Sequence, residues 1–136
     1  MLISSKSVKQ LAENIGKSSE TFCSGLFLSA RWFVVSELDH DGIQMIVMPD
    51  RDSAEYCSVD LYNLIEGDKV FFLPDSGKTL ERSNYKSSLS VQRTSAIGKI
   101  LYHKGGQLII VTYPAAREEG VTDAARIRKS VLRVRV

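Results

Sequence analysis

Apolar positions recur along the chain in two rhythms, and their alternation sets the expected fold. Val8, Leu11, Ala12 and Ile15 fall at helical spacing with Gly16 behind them, which predicts a short amphipathic helix stopped by glycine. Thr21, Phe22 and Cys23 form a brief apolar stretch before Ser24 and Gly25 and predict a first strand. Residues 28–38 (LSARWFVVSEL) are apolar around most of a helical circumference, so this helix is expected to be well buried. Residues 43–48 (IQMIVM) are a near-continuous apolar run of strand length, ended by Pro49 and Asp50. Asp50 or Asp52 can cap the next helix by accepting from its free N–H groups, and Glu55 stands three residues after Asp52 as in a capping box. That helix carries a stripe of Ala54, Cys57, Leu61, Leu64 and Ile65. Gly67 and Asp68 turn the chain into a third strand, residues 69–73 (KVFFL), followed by a long polar loop over residues 74–88. A helix over residues 89–103 is expected to face Ile97, Ile100 and Leu101 inward and to stop at Gly105 and Gly106; the fourth strand is residues 108–112 (LIIVT).

Strands apolar on both faces, alternating with helices, are the pattern of a parallel sheet covered on two sides. The expectation is α/β: a mostly parallel sheet of four to five strands with helices on both faces. The last stretch differs. Residues 121–130 (VTDAARIRKS) predict a short helix capped by Thr122 or Asp123, and residues 131–136 (VLRVRV) alternate apolar and basic, as a half-exposed strand does. A strand at that place is expected to open a following domain; an edge strand of the same domain is the alternative. The expected organisation is an N-terminal helix in residues 1–18, an α/β domain in 19–120, and a connector with the first strand of a further domain in 121–136.

Composition narrows the function classes. The 136 residues hold 18 bases and 16 acids, a formal charge of +2, with 43% hydrophobic residues. These values exclude a disordered tail, a fibre and a heavily basic nucleic-acid coat. Cys23 and Cys57, with His40 and His103, lack the C-x-x-C or H-x-x-x-H spacing of a zinc site and read as two half-buried thiols in a reducing compartment. No apolar run approaches the ~20 residues that cross a bilayer. Residues 1–17 also lack the features of a signal peptide. A cytoplasmic protein is expected.

Ligands of open α/β sheets sit beyond the carboxyl ends of the strands. After the expected first strand comes Ser24-Gly25-Leu26-Phe27-Leu28-Ser29-Ala30-Arg31. A phosphate loop there would read G-x-x-x-x-G-K-[ST]. Gly25 can serve as the first glycine, but Ala30 and Arg31 stand where the second glycine and the lysine belong, and the metal-holding hydroxyl is missing. Backbone access to the phosphates, charge on them and metal ligation are all lost. The loop, with Gly25, Ser29, Ala30 and Arg31 as its positions, reads as a degenerate nucleotide site with no cofactor and no metal. Ser76-Gly77-Lys78-Thr79 spells the end of such a motif, but the position five before Gly77 is Phe72, inside a strand, and no glycine opens the loop. Asp50 stands where a receiver domain carries its phospho-acceptor, without the acidic pair or the lysine that chemistry needs. No nucleophile, base and acid fall into a catalytic pattern, so no catalytic residue is expected. Arg126, Arg128, Lys129, Arg133 and Arg135 form a basic strip free of acids, a candidate surface for phosphate or an acidic partner.

Several segments in order resemble one family. Ser24-Gly25-Leu26 followed by small residues, then IVMPDRDSAEYCSVDLYNLIEGDKVFFLPD, RTSAIGKIL, LIIVTYPAAREEGV and the closing VLRVRV resemble the N-terminal region of the bacterial transcription-repair coupling factor over roughly residues 20–136. That family carries a GLxGS-x-A loop, a V-x-x-[FL]-P strand and an [IV]-VT-x-P-x-A strand exit. The chain departs from it at Phe27-Leu28, where the family prefers a small residue and glycine, and in the SGKT stretch. The resemblance implies a degenerate RecA-like domain similar to the first domain of the excinuclease's B component. The whole protein would be a multidomain, ATP-dependent, helicase-like DNA translocase acting in nucleotide excision repair. It would displace RNA polymerase stalled at a lesion and recruit the excinuclease. The excinuclease's A component would be contacted through the adjacent domain, and RNA polymerase and DNA through downstream domains. ATP and Mg would belong to the downstream motor, so this region is not expected to hydrolyse ATP. Two alternatives stay open: a stand-alone α/β interaction module, and a nucleotide-binding enzyme using Lys78.

Overall fold

The computed structural model describes residues 6–26, 30–38, 41–77, 83–121 and 125–126. Five helices and three strands follow in the order α1 (Lys6–Lys17), α2 (Ala30–Glu37), β1 (Gly42–Val47), α3 (Arg51–Leu64), β2 (Val70–Phe72), α4 (Ser83–Leu101), β3 (Gln107–Thr112) and α5 (Pro114–Glu118) among the described residues. The strands form one parallel sheet in the order β1-β3-β2, with Ile43 opposite Leu108 and Phe71 opposite Ile110. The fold is α/β with a small open parallel sheet.

β3 is central, which is why Leu108, Ile109, Ile110 and Val111 are apolar without interruption and buried. On one face Ile109, Val111 and Val70 meet Trp32 of α2 and Ala54, Cys57 and Leu61 of α3. On the other, Leu108, Ile110 and Leu73 meet Ala96 of α4, with Ile97 and Ile100 packed alongside. α3 begins as its sequence requires: Asp50 Oδ1 accepts from Ser53 N–H at 2.8 Å. Asp50, rather than Asp52, is the cap. This bond draws the Asp50 carboxyl below its ordinary value. Gly67 takes φ +86°, a left-handed turn open to glycine, and redirects the chain into β2.

Four expectations change. Residues 21–24 carry no strand, and Phe22 is 92% exposed, so the described sheet has three strands rather than four or five. β1 is an edge and alternates: α4 lies over β2 and β3, leaving Ile43, Met45 and Val47 exposed. α4 begins at Ser83, inside the stretch expected to be loop. α5 was not foreseen, although Pro114 at its first turn is a helix-start signal. The expected first helix forms as α1, yet of its stripe only Val8 is buried. Residues 131–136, and all of 121–130 but Val121 and the helical pair Ala125 and Arg126, lie outside the described residues.

Candidate functional site

All three strands point their carboxyl ends the same way, and the segments leaving them converge. β1 leads through Pro49 and Asp50 to Arg51, β2 through Leu73 and Pro74 to Asp75, and β3 to Tyr113. Arg51 Nη2 donates to Asp75 Oδ2 at 2.7 Å and Arg51 Nε to the Tyr113 hydroxyl at 3.1 Å. That hydroxyl accepts a second bond from Asp75 N–H at 2.9 Å and donates to Asp75 Oδ2 at 2.8 Å. One hydroxyl has one proton and two lone pairs, so Tyr113 is fully used. Asp75 Oδ1 takes the N–H of Gly77, whose φ of +67° lets the loop fold back on the carboxylate.

Arg93 closes the site from α4. It is 6% exposed; its Nη1 donates to the carbonyls of Pro74 (2.8 Å) and Ala116 (3.0 Å), and its Nη2 to that of Glu119 (3.1 Å). Glu119 Oε2 in turn accepts from Ser76 N–H at 2.8 Å. Thr112 Oγ1 donates to the Leu73 carbonyl at 2.9 Å and is buried. At this end, among the described residues, Ser76 Oγ is the one side-chain polar atom buried without a partner.

The electrostatics follow from this geometry. Burial pushes the Asp75 carboxyl up, but the bonds from Arg51, Tyr113 and Gly77 outweigh it and hold the group below its ordinary value. The bonds to Tyr113 and Asp75 hold Arg51 firmly protonated. Burial raises the Tyr113 phenol, against the pull of Arg51. A carboxylate held ionised between a guanidinium and a phenol is a poor general base, because its affinity for a proton is lowered and both lone pairs of Oδ2 are already engaged. The cluster ties three loops together and leaves little for a ligand to displace.

The segment expected to be a degenerate phosphate loop follows no strand among the described residues. Gly25 is exposed at φ +82° with open space where a side chain would go, Ser29 lies outside the described residues, and Ala30 is the half-buried first residue of α2. The Arg31 guanidinium stands 4.8 Å over the Trp32 ring. Burial beside Asp60 pushes the Cys57 thiol up to about 12, and the charge of Arg31 opposes this. Of the basic strip, Arg126 is helical and exposed; Arg128, Lys129, Arg133 and Arg135 lie outside the described residues, as does Lys78. Rather than both being half-buried, Cys23 is exposed and Cys57 buried, and both are free. No group of metal-ligating side chains and no helix long and apolar enough to cross a membrane occurs among the described residues.

Arg51, Asp75, Tyr113, Arg93 and Glu119 were not singled out from the sequence. Arg51, Asp75 and Tyr113 each follow a strand end within four residues, which marks them as strand-exit residues but does not say that they pair. Arg93 falls on the inward stripe with Leu89, Ala96, Ile97 and Ile100, where a base must find carbonyl or acid partners. Compared with family models, curated proteins and solved structures, the chain matches none.

Proposed function

We propose that this chain is the N-terminal, non-catalytic domain of a transcription-repair coupling factor. On this reading it is a degenerate RecA-like scaffold in an ATP-dependent DNA translocase that releases stalled RNA polymerase and recruits the excision-repair machinery. The observation that supports it is the state of the strand exits. Where a nucleotide would be gripped in such a fold, Arg51, Asp75, Tyr113 and Arg93 hold one another and the backbone. The Gly25–Arg31 segment, which follows no strand among the described residues, separately lacks in its sequence the second glycine, the lysine and the hydroxyl of a phosphate cradle. A domain whose pocket is filled by its own bonds serves as framework and surface. The basic strip from Arg126 to Arg135 would lead into the domain that contacts the excinuclease's A component.

Calorimetry of this chain with Mg-ATP tests the reading, and no saturable heat is expected. Micromolar binding abolished by Lys78→Ala would overturn it in favour of a nucleotide-binding enzyme. The coding sequence beyond position 136 is the second arm: helicase motor motifs are expected, and an immediate stop codon would favour a stand-alone interaction module.

A further inference from the structure

Among the described residues β2 is a free edge of the sheet. The Lys69 carbonyl accepts from Ile109 N–H and Leu73 N–H donates to the Val111 carbonyl, both at 2.8 Å. The strand alternation therefore turns the main chain of Val70 and Phe72 away from β3. Among the described residues β2 pairs with β3 alone. Such an edge is a template for an added strand.

A groove of about 410 Å³ lies over this edge. Val59 and Tyr62 of α3 wall one side, Val91 of α4 the other, and Phe71 and Phe72 form the floor. Val59, Tyr62 and Val91 are each more than half exposed. Val59 also lines a second hollow, shared with Asp52, Glu55, Tyr56 and Asp60, so the apolar α3 wall runs directly into an acidic rim. Of the bases near that rim, Arg51 is committed to Asp75 and Arg31 of α2 acts with Asp60 on the Cys57 thiol, so Asp52 and Glu55 are its remaining acids. On the α4 side Gln92 and Ser95 are neutral, and Lys99 stands over the Phe71 ring, 3.9 Å from Asp68.

A strand laid along β2 would present one row of side chains to each helix. The row under α3 meets an apolar wall ending in acids; the row under α4 meets Val91 and Phe71. Arginine or lysine suits the first, because its stem covers Val59 and Tyr62 while its head reaches the acids. Aliphatic residues suit the second. We infer that the β2 edge and the outer face of α3 dock an extended segment of a partner protein that alternates basic and aliphatic residues. The inference does not depend on the coupling-factor reading.

The test is fluorescence anisotropy of a labelled peptide, Gly-Ser-Arg-Val-Arg-Val-Arg-Ser-Gly, titrated with the chain. Saturable binding that weakens with added salt is expected. The paired change Glu55→Lys and Asp60→Lys should weaken it about tenfold, as for charge reversal on an interface rim. Val91→Gln should weaken it several-fold, and circular dichroism checks that each variant stays folded. Should the paired variant unfold, Glu55→Lys alone carries the charge arm. A peptide with glutamate for arginine, or with both the arginine and the valine nitrogens methylated so that no ladder bond can form in either strand direction, should not bind. Equal binding of the glutamate peptide, indifference to these substitutions, or no binding at millimolar peptide overturns the inference. Concentration-dependent dimers in sedimentation that Val91→Gln dissolves would also overturn it, by assigning the face to a second copy of the chain. So would peptide binding that appears only when Arg133 and Arg135 are both changed to Glu, by assigning the face to the chain's own residues 131–136, which carry the same alternation.

Discussion

Two apolar triplets of the same length meet opposite fates. Val70-Phe71-Phe72 pairs along β3 and packs on both faces; Thr21-Phe22-Cys23 lies without regular structure, its phenylalanine 92% exposed. Neither triplet is long enough to form a strand by its own propensity. β2 is delivered to a waiting neighbour by α3, whose cap and buried stripe dock it on the sheet. The 21–24 stretch follows α1, a helix in which Val8 is the one buried residue. An apolar run becomes a strand when its flanking elements are anchored, because pairing then costs little further chain entropy.

The largest expected effect tests the anchored region. Arg93→Met removes three donors from buried or half-buried carbonyls and should destabilise the chain by about 3–5 kcal/mol in urea denaturation. A loss below about 1 kcal/mol would show that water replaces the guanidinium. Leu61→Ala, at a position fully buried under the sheet, should cost about 2–5 kcal/mol.

Asp75→Asn comes next, at about 1–3 kcal/mol, since it keeps the shape but loses the charge paired with Arg51. Its pH dependence has a definite sign. The folded carboxyl lies below its ordinary value of 3.8, so its contribution is complete above that value and disappears as pH falls through the lower folded one. The stability gap between the wild type and Asp75→Asn should therefore narrow only under acid conditions. A gap that instead closes on raising the pH would contradict the network.

The two cysteines sharpen the comparison without changing stability. Cys57, buried with its thiol raised to about 12, should resist iodoacetamide at pH 8 in the native protein, whereas the exposed Cys23 should react. Mass spectrometry should count one adduct when folded and two in denaturant. The smallest effect is Phe22→Ser, expected within about 0.5 kcal/mol of wild type. A cost of several kcal/mol would mean that Phe22 packs in a core after all.

Periodicity alone was enough for the helices with a strong stripe and for the three paired strands. Ala54, Cys57, Leu61 and Ile65 are buried as their spacing requires, Asp50 caps as its place requires, and the unbroken apolar run of β3 marks the central strand. These features rest on interactions within one element or on burial on both faces, so they are written locally. Three matters were decided only by tertiary structure. Whether Thr21-Phe22-Cys23 pairs depends on a neighbour remote in sequence. Which face of β1 stays bare depends on where α4 crosses, and Ile43, Met45 and Val47 look no different in sequence from core residues. The strand-exit cluster joins Arg51, Asp75 and Tyr113 across separations of up to 62 positions. Hydrogen bonds between loops are set by how the sheet aligns its strand ends, and no spacing along the chain encodes that alignment.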